Sequence, residues 1–310
     1  MIAKRVGQLL LLLIGVSFIV FMSMHLAPGD AASMVAGPTA TVSDIERIRE
    51  SLGLERPILI QYFDYLRGLA MGDFGTSFQY NRPVADLLLE AFPNTLQLAS
   101  SAIIVGITLG VGTGILSAIK QNTWLDRTSS IVSLLGISLP NFWLGAVLIL
   151  IFAVTLGWFP VGGFTAPIWT AQGLRQITLP AITLGTSSAA IISRMSRSSM
   201  LEVIRADYIR TARAKGLKEK SVIFVHSLRN AMIPVITLIG VNFGLLLGGS
   251  IITENVFAIR GLGTVIVSAI ARRDFPVVQG AVLVVATVFV VINLLIDIIY
   301  TFVDPRISYE

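Results

Sequence analysis

The sequence predicts an all-α integral membrane protein in which six helices cross the bilayer. Hydrophobic residues make up 54% of the 310 residues and charged residues only 13%, whereas a soluble domain has about 25% charged residues. Six apolar segments are each long enough to span a bilayer, which takes about 20 residues. These segments are residues 6–27, 98–119, 129–156, 178–200, 230–253 and 279–303.

The first apolar segment follows Lys4 and Arg5, as the apolar region of a signal peptide would. Its run of apolar residues is longer than that of a usual signal peptide, and no small-x-small cleavage site follows it closely. We therefore interpret it as a first span that stays in the protein.

A small structured external region is predicted between the first and second spans. Ser43 and Glu46 have the spacing of a capping box, so one helix is expected to begin there and to end at Gly53. A second helix is expected to begin with Pro57 and to end at Gly72. Its apolar residues recur at helical spacing and predict a face that lies on the outer membrane surface or packs on the membrane helices. These residues are Ile58, Leu59, Tyr62, Phe63, Leu66 and Leu69.

Glycines and prolines add detail to the spans. Gly136 and Pro140 predict a kink in the third span. Small residues spaced by four allow two helices to approach closely in lipid. They are Gly106, Gly110 and Gly114 in the second span and Gly240, Gly244 and Gly248 in the fifth. Packing within one chain is the expected role, while contact with a second membrane subunit and mobility at a gate stay open.

A polar stretch, residues 201–229, separates the fourth and fifth spans, and we call it the basic loop. It carries seven Lys or Arg and three acids. Together with the other segments on its side, the loop region holds 14 of the 23 Lys and Arg, and the 9 on the other side are spread over many more residues. The loop and both termini are therefore predicted to be cytoplasmic. Residues 202–215 are good helix formers and Gly216 is a natural helix stop. Docking into a partner's groove and contact with anionic lipid headgroups are the two roles that the loop allows.

Several kinds of chemistry are missing from the sequence. There is no cysteine and there are two histidines, which excludes thiolate and histidine metal clusters. The sequence has no Walker phosphate loop, HExxH or GxSxG motif. A stand-alone secondary carrier or channel, the alternative function, would be expected to hold charges within the spans, and Asp297 is the one such acid. Four polar residues beside Pro or Gly are weak candidates for a substrate pathway, although each can equally bond a neighbouring helix. They are Ser138, Asn141, Asn242 and Ser250.

Separated motifs resemble the permeases of the dipeptide, oligopeptide and nickel branch of ABC importers. The strongest resemblance lies at residues 207–216 (DYIRTARAKG) of the basic loop and at residues 226–234 (HSLRNAMIP), which run from its end into the fifth span. The other motifs, in the family's order, are 26–30 (LAPGD), 52–57 (LGLERP), 61–62 (QY), 72–77 (GDFGTS), 137–142 (ISLPNF), 254–257 (ENVF), 261–263 (GLG) and 304–307 (DPRI). The resemblance covers nearly the whole chain.

The basic loop departs in part from the general importer pattern of Glu-Ala-Ala, a later Gly and a final Ile-x-Leu-Pro. Arg210 stands at the Glu position and Thr211 at the first Ala position. Ala212, Gly216 and Leu228 keep the pattern. No role of the missing Glu is therefore carried over to this chain.

The resemblance implies a type I ABC importer permease-like fold in a prokaryotic cytoplasmic (inner) membrane. Residues 1–97 would form the first span and external region, and residues 98–310 a five-helix core with the coupling loop 201–229. The implied partners are a second homologous permease, two ATPase subunits that hold ATP and Mg, and an extracytoplasmic binding protein that delivers peptides or similar small solutes. This chain would have no catalytic residue or metal site. The expected ATPase contacts are Asp207, Tyr208, Thr211, Ala212, Lys215, Gly216 and Leu217.

Overall fold

The computed structural model describes residues 2–26, 31–36, 40–51 and 53–303, and these are almost entirely helical. Within them no β-strand occurs, and a lone β-bridge joins Thr76 to Pro83. The α-helices are α1 (Ile2–Leu26), α2 (Ala31–Ala36), α3 (Val42–Ser51), α4 (Ile58–Ala70), α5 (Val84–Ile119), α6 (Trp124–Ser138), α7 (Asn141–Leu148), α8 (Ala171–Ile204), α9 (Asp207–Ala214), α10 (Glu219–Ser221), α11 (Leu228–Gly249), α12 (Ile251–Val256), α13 (Leu262–Ala271) and α14 (Phe275–Val303). Two π-helical segments, Ile149–Thr155 and Val222–Ser227, continue α7 and lead into α11.

Three of the described helical segments are both long and apolar enough to cross a membrane: α5, residues 219–248, and α14 as far as Ile296. α6 qualifies together with Asn141–Thr155, but the two are bent by 103°. This bend confirms the predicted kink. It arises because Leu139 is extended and Pro140 lacks the N–H that would continue the helix. α1 and α8 cover the first and fourth predicted spans. The count of six spans stays a prediction.

The chain divides into two compact units. One comprises Met1–Phe92 and Thr264–Val288, and the other comprises Pro93–Gly263 and Phe289–Glu310. The predicted division after residue 97 stays a prediction.

In the first unit, α4 packs on α1 through polar and aromatic side chains. The Tyr62 hydroxyl donates to the Ile14 carbonyl at 3.1 Å and lies 2.9 Å from the Ser17 hydroxyl. The Gln61 side-chain oxygen lies 3.1 Å from a ring nitrogen of His25. One side of the predicted apolar face therefore packs on the first helix.

The helix cap predicted at Ser43 and Glu46 is wrong, since the capping pair lies two residues earlier. The Asp44 N–H donates to the Thr41 hydroxyl at 3.3 Å, and the Thr41 N–H donates to the Asp44 carboxylate at 3.1 Å. The Thr41 hydroxyl also donates to that carboxylate at 2.6 Å, and this hydrogen bond lowers the pKa of Asp44. Thr41 and Asp44 have the same spacing as Ser43 and Glu46, and Thr and Asp can satisfy the free N–H groups of a helix start as Ser and Glu do. The spacing alone therefore did not decide between the two pairs.

The other predicted helix ends of this region lie close to the observed ones. Gly53 and Gly72 follow α3 and α4 as predicted. Pro57 is the residue just before α4 rather than its first residue. Residues 27–30, 52 and 304–310, which carry parts of three motifs, lie outside the described residues, as does the side chain of Asp297.

A buried carboxylate holds the loop that follows the Gly72 motif. Asp274 accepts hydrogen bonds from the Ser77 hydroxyl and from the N–H groups of Phe78 and Gln79, the latter two at 3.1 and 3.2 Å. The Asp274 carboxylate thus accepts from three donors in the loop of residues 77–79. All of these residues belong to the first unit.

In the second unit, α8 packs closely against a face of α5 that is rich in glycine. A Cβ on Gly110 would lie 2.7 Å from the Ala189 carbonyl oxygen, and one on Gly114 would lie 2.5 Å from that of Ser193. Gly240 and Gly244 of α11 face Ile296 and Phe289 of α14 in the same way. The expectation that these glycines allow packing within one chain is confirmed for the described pairs.

Candidate functional site

The basic loop forms a short helix, α9, that is separate from α8. The good helix formers of residues 202–215 do not form one helix, because α8 ends at Ile204 and Ala206 is extended with a ψ of 148°. The stretch holds no glycine or proline that would explain the break. The break lets α9 turn so that Ile209, which is 0% exposed, is buried in the protein. Burial of this apolar side chain favours the turned arrangement of α9.

The end of α9 is set by glycine, as predicted. Gly216 has a φ of +78°, a conformation that L side chains rarely adopt. Its N–H donates to the Arg213 carbonyl at 2.9 Å, and the Leu217 N–H donates to the Ala212 carbonyl at 3.4 Å. This pair of hydrogen bonds is a Schellman motif, which satisfies carbonyls that the helix leaves free.

Two side-chain contacts fix α9 against the segment that follows it. The Asn230 side-chain amide donates to the Tyr208 hydroxyl at 2.9 Å. Arg213 forms an ion pair with Glu219 at 2.8 Å, and the hydrogen bond between them raises the pKa of the Arg213 guanidinium. Both partners lie beyond Gly216 in the chain, so α9 is held against the beginning of the next long helix.

Most of the residues predicted to contact a partner lie on one exposed surface. Tyr208 and Leu217 are 47% and 41% exposed although they are largely apolar. Ala212 is the one member of the set that is partly buried. The other members, Asp207, Thr211, Lys215 and Gly216, are exposed. We call these seven residues the α9 surface.

An ion pair that sequence reasoning missed lies near the end of α8. The Arg197 guanidinium donates to the two carboxylate oxygens of Asp126 at 2.7 and 2.9 Å. The same buried carboxylate accepts from the Ser117 hydroxyl and from the Asn122 N–H. α5, α6 and α8 are therefore joined at one point. The sequence did hold a signal for this pair, since Asp126 lies just before the third predicted span and Arg197 near the end of the fourth.

An apolar cluster lies at the same end of these helices. Its buried members are Ala118 of α5, Met200 of α8 and Ala231 of α11. Leu201, Val203, Ile204 and Ile223 pack against it. Because α9 follows directly from Ile204, the short helix is attached to a packed region to which three long helices contribute.

The four weak pathway candidates fall into two groups. Ser138 is exposed and Asn141 partly exposed, and they flank the break between α6 and α7. Asn242 is buried, and its side-chain amide donates to the carbonyl of the residue four positions earlier at 3.0 Å. Ser250 is fully buried and donates to the Glu254 carboxylate at 2.8 Å. The structure thus places Ser138 and Asn141 at the same break between two helices. The side chains of Asn242 and Ser250 form hydrogen bonds with other groups of this chain.

The Glu254 motif forms a buried polar cluster. The Glu254 carboxylate is fully buried and accepts from the Thr95 hydroxyl at 2.7 Å. Thr95 in turn accepts from the Leu262 N–H at 2.8 Å. A Cβ on Gly261 would lie 2.4 Å from the carboxylate, so the glycine of this motif is required for the close approach. This arrangement indicates a structural role for the motif.

Family models match both parts of the chain. Residues 110–309 match the binding-protein-dependent transport system inner membrane component, and residues 1–99 match the N-terminal region of such membrane components.

Curated proteins are similar over the whole length. The chain is 44% identical to a dipeptide transport system permease protein of Alkalihalophilus pseudofirmus, over 333 aligned positions that cover 100% of both chains. It is 42% identical to a putative peptide transport system permease of Brucella abortus, covering 100% of this chain and 99% of the relative. The identity to a glutathione transport system permease of Escherichia coli is also 42%, with the same coverage.

Solved structures support the fold. A chain of the MetNI methionine ABC transporter in an inward-facing conformation matches with a TM-score of 0.56 at 22% identity, covering 70% of this chain and 96% of that chain. A second crystal form of the same transporter matches with a TM-score of 0.57 at 23% identity.

These matches define the class of the protein as a multi-pass membrane permease of the ABC importer type. The chain belongs to the family of binding-protein-dependent transport system inner membrane components. It is a permease subunit that works within a transporter complex.

Proposed function

We propose that this chain is one of two homologous permeases that together form the membrane pathway of an importer for peptides or similar small solutes. The substrate class is supported by relatives that are 42–44% identical over the full length and carry dipeptide, peptide or glutathione transport names. An extracytoplasmic binding protein would deliver the solute, as the description of the family implies.

The observation that carries the mechanism is the α9 surface. It is a short helix with exposed Tyr208 and Leu217, and it is attached through Ile204 to the packed ends of the long helices. A rigid, exposed helix of this kind can receive motion from a partner and pass it to the helices behind it. We propose that α9 is the coupling helix and that it docks into an ATPase subunit.

ATP hydrolysis belongs in the partner subunits under this proposal. The sequence lacks the phosphate-binding loop with which such ATPases hold nucleotide. Two ATPase subunits would bind ATP and Mg²⁺, and their closure would bias the permease pair between two conformations. The chemical step therefore needs no residue of this chain.

The proposed orientation places α9, the basic loop and both termini in the cytoplasm. The positive charge of the loop supports this orientation. Ser138 and Asn141 would then lie where the pathway between the two permeases is lined, because a break in a span is where polar groups can face a cavity. Asn242 and Ser250 are weaker candidates for the same pathway, since their hydrogen bonds lie within the chain.

The test is co-purification combined with transport. The tagged chain is expressed with the products of its genomic neighbours, extracted in mild detergent and identified with its partners by mass spectrometry. We expect a second permease and ATPase subunits to co-purify, and ATP-dependent peptide uptake in vesicles. Thr211→Trp, on the α9 surface, is expected to lose the ATPase subunits and to keep the second permease.

A matched control is Thr128→Trp, at an exposed threonine of α6. It adds the same bulk at a residue that is not part of the α9 surface and is expected to keep all partners. Recovery of the chain alone, with uptake that persists without ATP and collapses with the ion gradient, would replace the importer by a secondary carrier. Full ATPase recovery with Thr211→Trp would overturn the docking role of α9.

A further inference from the structure

The helix α4, outside the apolar spans, has three different faces. One face carries Tyr62 and Tyr65 and packs on α1, where their rings lie 5.3 and 5.6 Å from that of Phe21. A second face carries Leu59 and Phe63, which are each 68% exposed. Contiguous exposed apolar surface marks a contact with a protein or a membrane.

The third face carries charged side chains beside Ile60, which is 47% exposed. Asp64 and Arg67 are exposed, and Asp64 pairs with Arg56 at 3.2 Å. Successive residues of an α-helix are about 100° apart, so the apolar face lies about 110° from the α1 side and about 90° from the polar side. A helix that lies along a membrane interface has such an arrangement, with the bundle beside it, lipid beneath it and water above it.

The position of α4 along α1 gives its depth. The Tyr62 ring lies 5.4 Å from the Phe18 ring and its hydroxyl reaches the Ile14 carbonyl. At 1.5 Å per residue, Phe21 is about 7–8 Å and Ile14 about 18 Å from the end of α1 at Leu26. α4 therefore lies beside the last turns of an apolar helix and not beyond its end. Interfacial helices bury their apolar face about 5–10 Å into the boundary between headgroups and acyl chains.

The exposed face of α4 also continues an exposed face of α1. Phe18 and Ile19 of α1 are exposed within its apolar run. Phe18 contacts the Tyr62 ring, and the Phe63 ring lies 6.5 Å from that of Tyr62. The exposed Phe18 and Phe63 rings thus border the same buried Tyr62 ring, and an apolar segment predicted to span the bilayer, such as that of α1, meets acyl chains.

We infer that α4 is an interfacial helix whose Leu59 and Phe63 side chains contact the acyl chains of the leaflet at the Leu26 end of α1. The polar face then lies at headgroup level, where the long side chain of Arg67 can reach lipid phosphate. α4 anchors the region between the first two spans to the membrane surface. This role does not depend on the solute or on the ATPase partners.

The experiment introduces the photocrosslinking residue p-benzoylphenylalanine at Phe63, in the full chain, in cells that also express the genomic neighbours. This aromatic residue forms a bond to whichever C–H groups cover it. After irradiation the tagged chain is purified and digested, and the modified peptide is identified by mass spectrometry. The inference predicts a phospholipid adduct at Phe63. Leu59, on the same face, serves as a second position if the first variant is poorly produced.

Two control positions accompany the test. Asp64, next to Phe63 in the chain but on the polar face, is expected to give no acyl-chain adduct. Leu11, an exposed residue of α1, is expected to give a lipid adduct and shows that such adducts can be detected. A protein adduct at Phe63, with the second permease or a binding protein, would overturn the inference. So would the absence of any adduct there while Leu11 reacts, because water would then cover this face.

Discussion

The guanidinium of Arg197 forms two parallel hydrogen bonds, at 2.7 and 2.9 Å, with the carboxylate of Asp126. A bidentate pair of this kind is stronger and more directional than a single contact between surface charges. Asp126 is buried and Arg197 is partly exposed. The pair lies seven residues before the end of α8 at Ile204, about two helical turns from the point where the chain enters α9.

Asp126→Asn is expected to lower stability. The amide cannot accept from both guanidinium nitrogens, the Ser117 hydroxyl and the Asn122 N–H as the carboxylate does. Loss of these bonds is expected to cost about 1–3 kcal/mol and to lower the melting temperature of the purified chain in detergent. Asp207→Asn is the matched control, because its ion pair with Arg210 is longer, at 3.4 Å, and exposed. Equal melting temperatures for the two variants would contradict a structural role of the Asp126 pair.

Gly114→Ala is expected to disrupt the packing of α5 on α8. The added Cβ would lie 2.5 Å from the Ser193 carbonyl oxygen, so the backbones must separate. Gly112→Ala, two residues earlier on the same helix, meets nothing within 4 Å. The control is expected to be neutral or to stabilise by up to about 1 kcal/mol, because alanine favours helix over glycine. Thermal unfolding in detergent separates the two outcomes, and a Gly114 variant as stable as the Gly112 variant would refute this contact.

Gly216 offers a test of the geometry at the end of α9. Its φ of +78° suits glycine and tolerates asparagine, whereas a β-branched residue is strained there. Gly216→Asn is therefore expected to keep ATPase association and uptake, while Gly216→Val loses both. Since nothing lies within 4 Å of the position where a Cβ would stand, added bulk alone does not clash within the chain. If the two variants behave alike, the conformation of this residue does not control docking.

Asp274→Asn is expected to loosen the loop that contains Ser77, Phe78 and Gln79. The carboxylate accepts from all three residues, and an amide supplies fewer acceptors. We expect a cost of about 1–3 kcal/mol and faster proteolytic cleavage within this loop. Asp86→Asn, at an exposed position of α5, is the control and should leave the cleavage rate unchanged. Unchanged cleavage with Asp274→Asn would contradict the role of this carboxylate.

The sequence predicted the features that depend on a few neighbouring residues. Pro140 marks the break of the third span, and Gly53, Gly72 and Gly216 mark helix ends, because their backbone preferences act locally. The family was also predictable, since its motifs are spread along the chain in a fixed order. The capping pair was misplaced by two residues because two similar pairs compete at adjacent positions in the same turn.

The candidate site was predicted in part. The α9 surface follows from the basic loop and its motif, whereas the break at Ala206 does not, because it depends on where Ile209 is buried. Ser250 was proposed for a pathway, but the structure places its hydroxyl on Glu254. The two residues are four apart, a spacing at which side chains meet on a helix, but the cluster that holds them is completed by Thr95, which is 159 positions away in the chain.

By itself the sequence determined the membrane class, the positions of the apolar segments, the basic loop and the glycine that ends α9. These follow from hydropathy and backbone preference, which act over about 5–20 neighbouring residues. Only the tertiary structure decided that Asp126 pairs with Arg197, that Gly114 and not Gly112 contacts α8, and that Leu59 and Phe63 of α4 stay largely exposed. Those outcomes depend on which helices lie side by side, and such contacts join residues far apart in the chain.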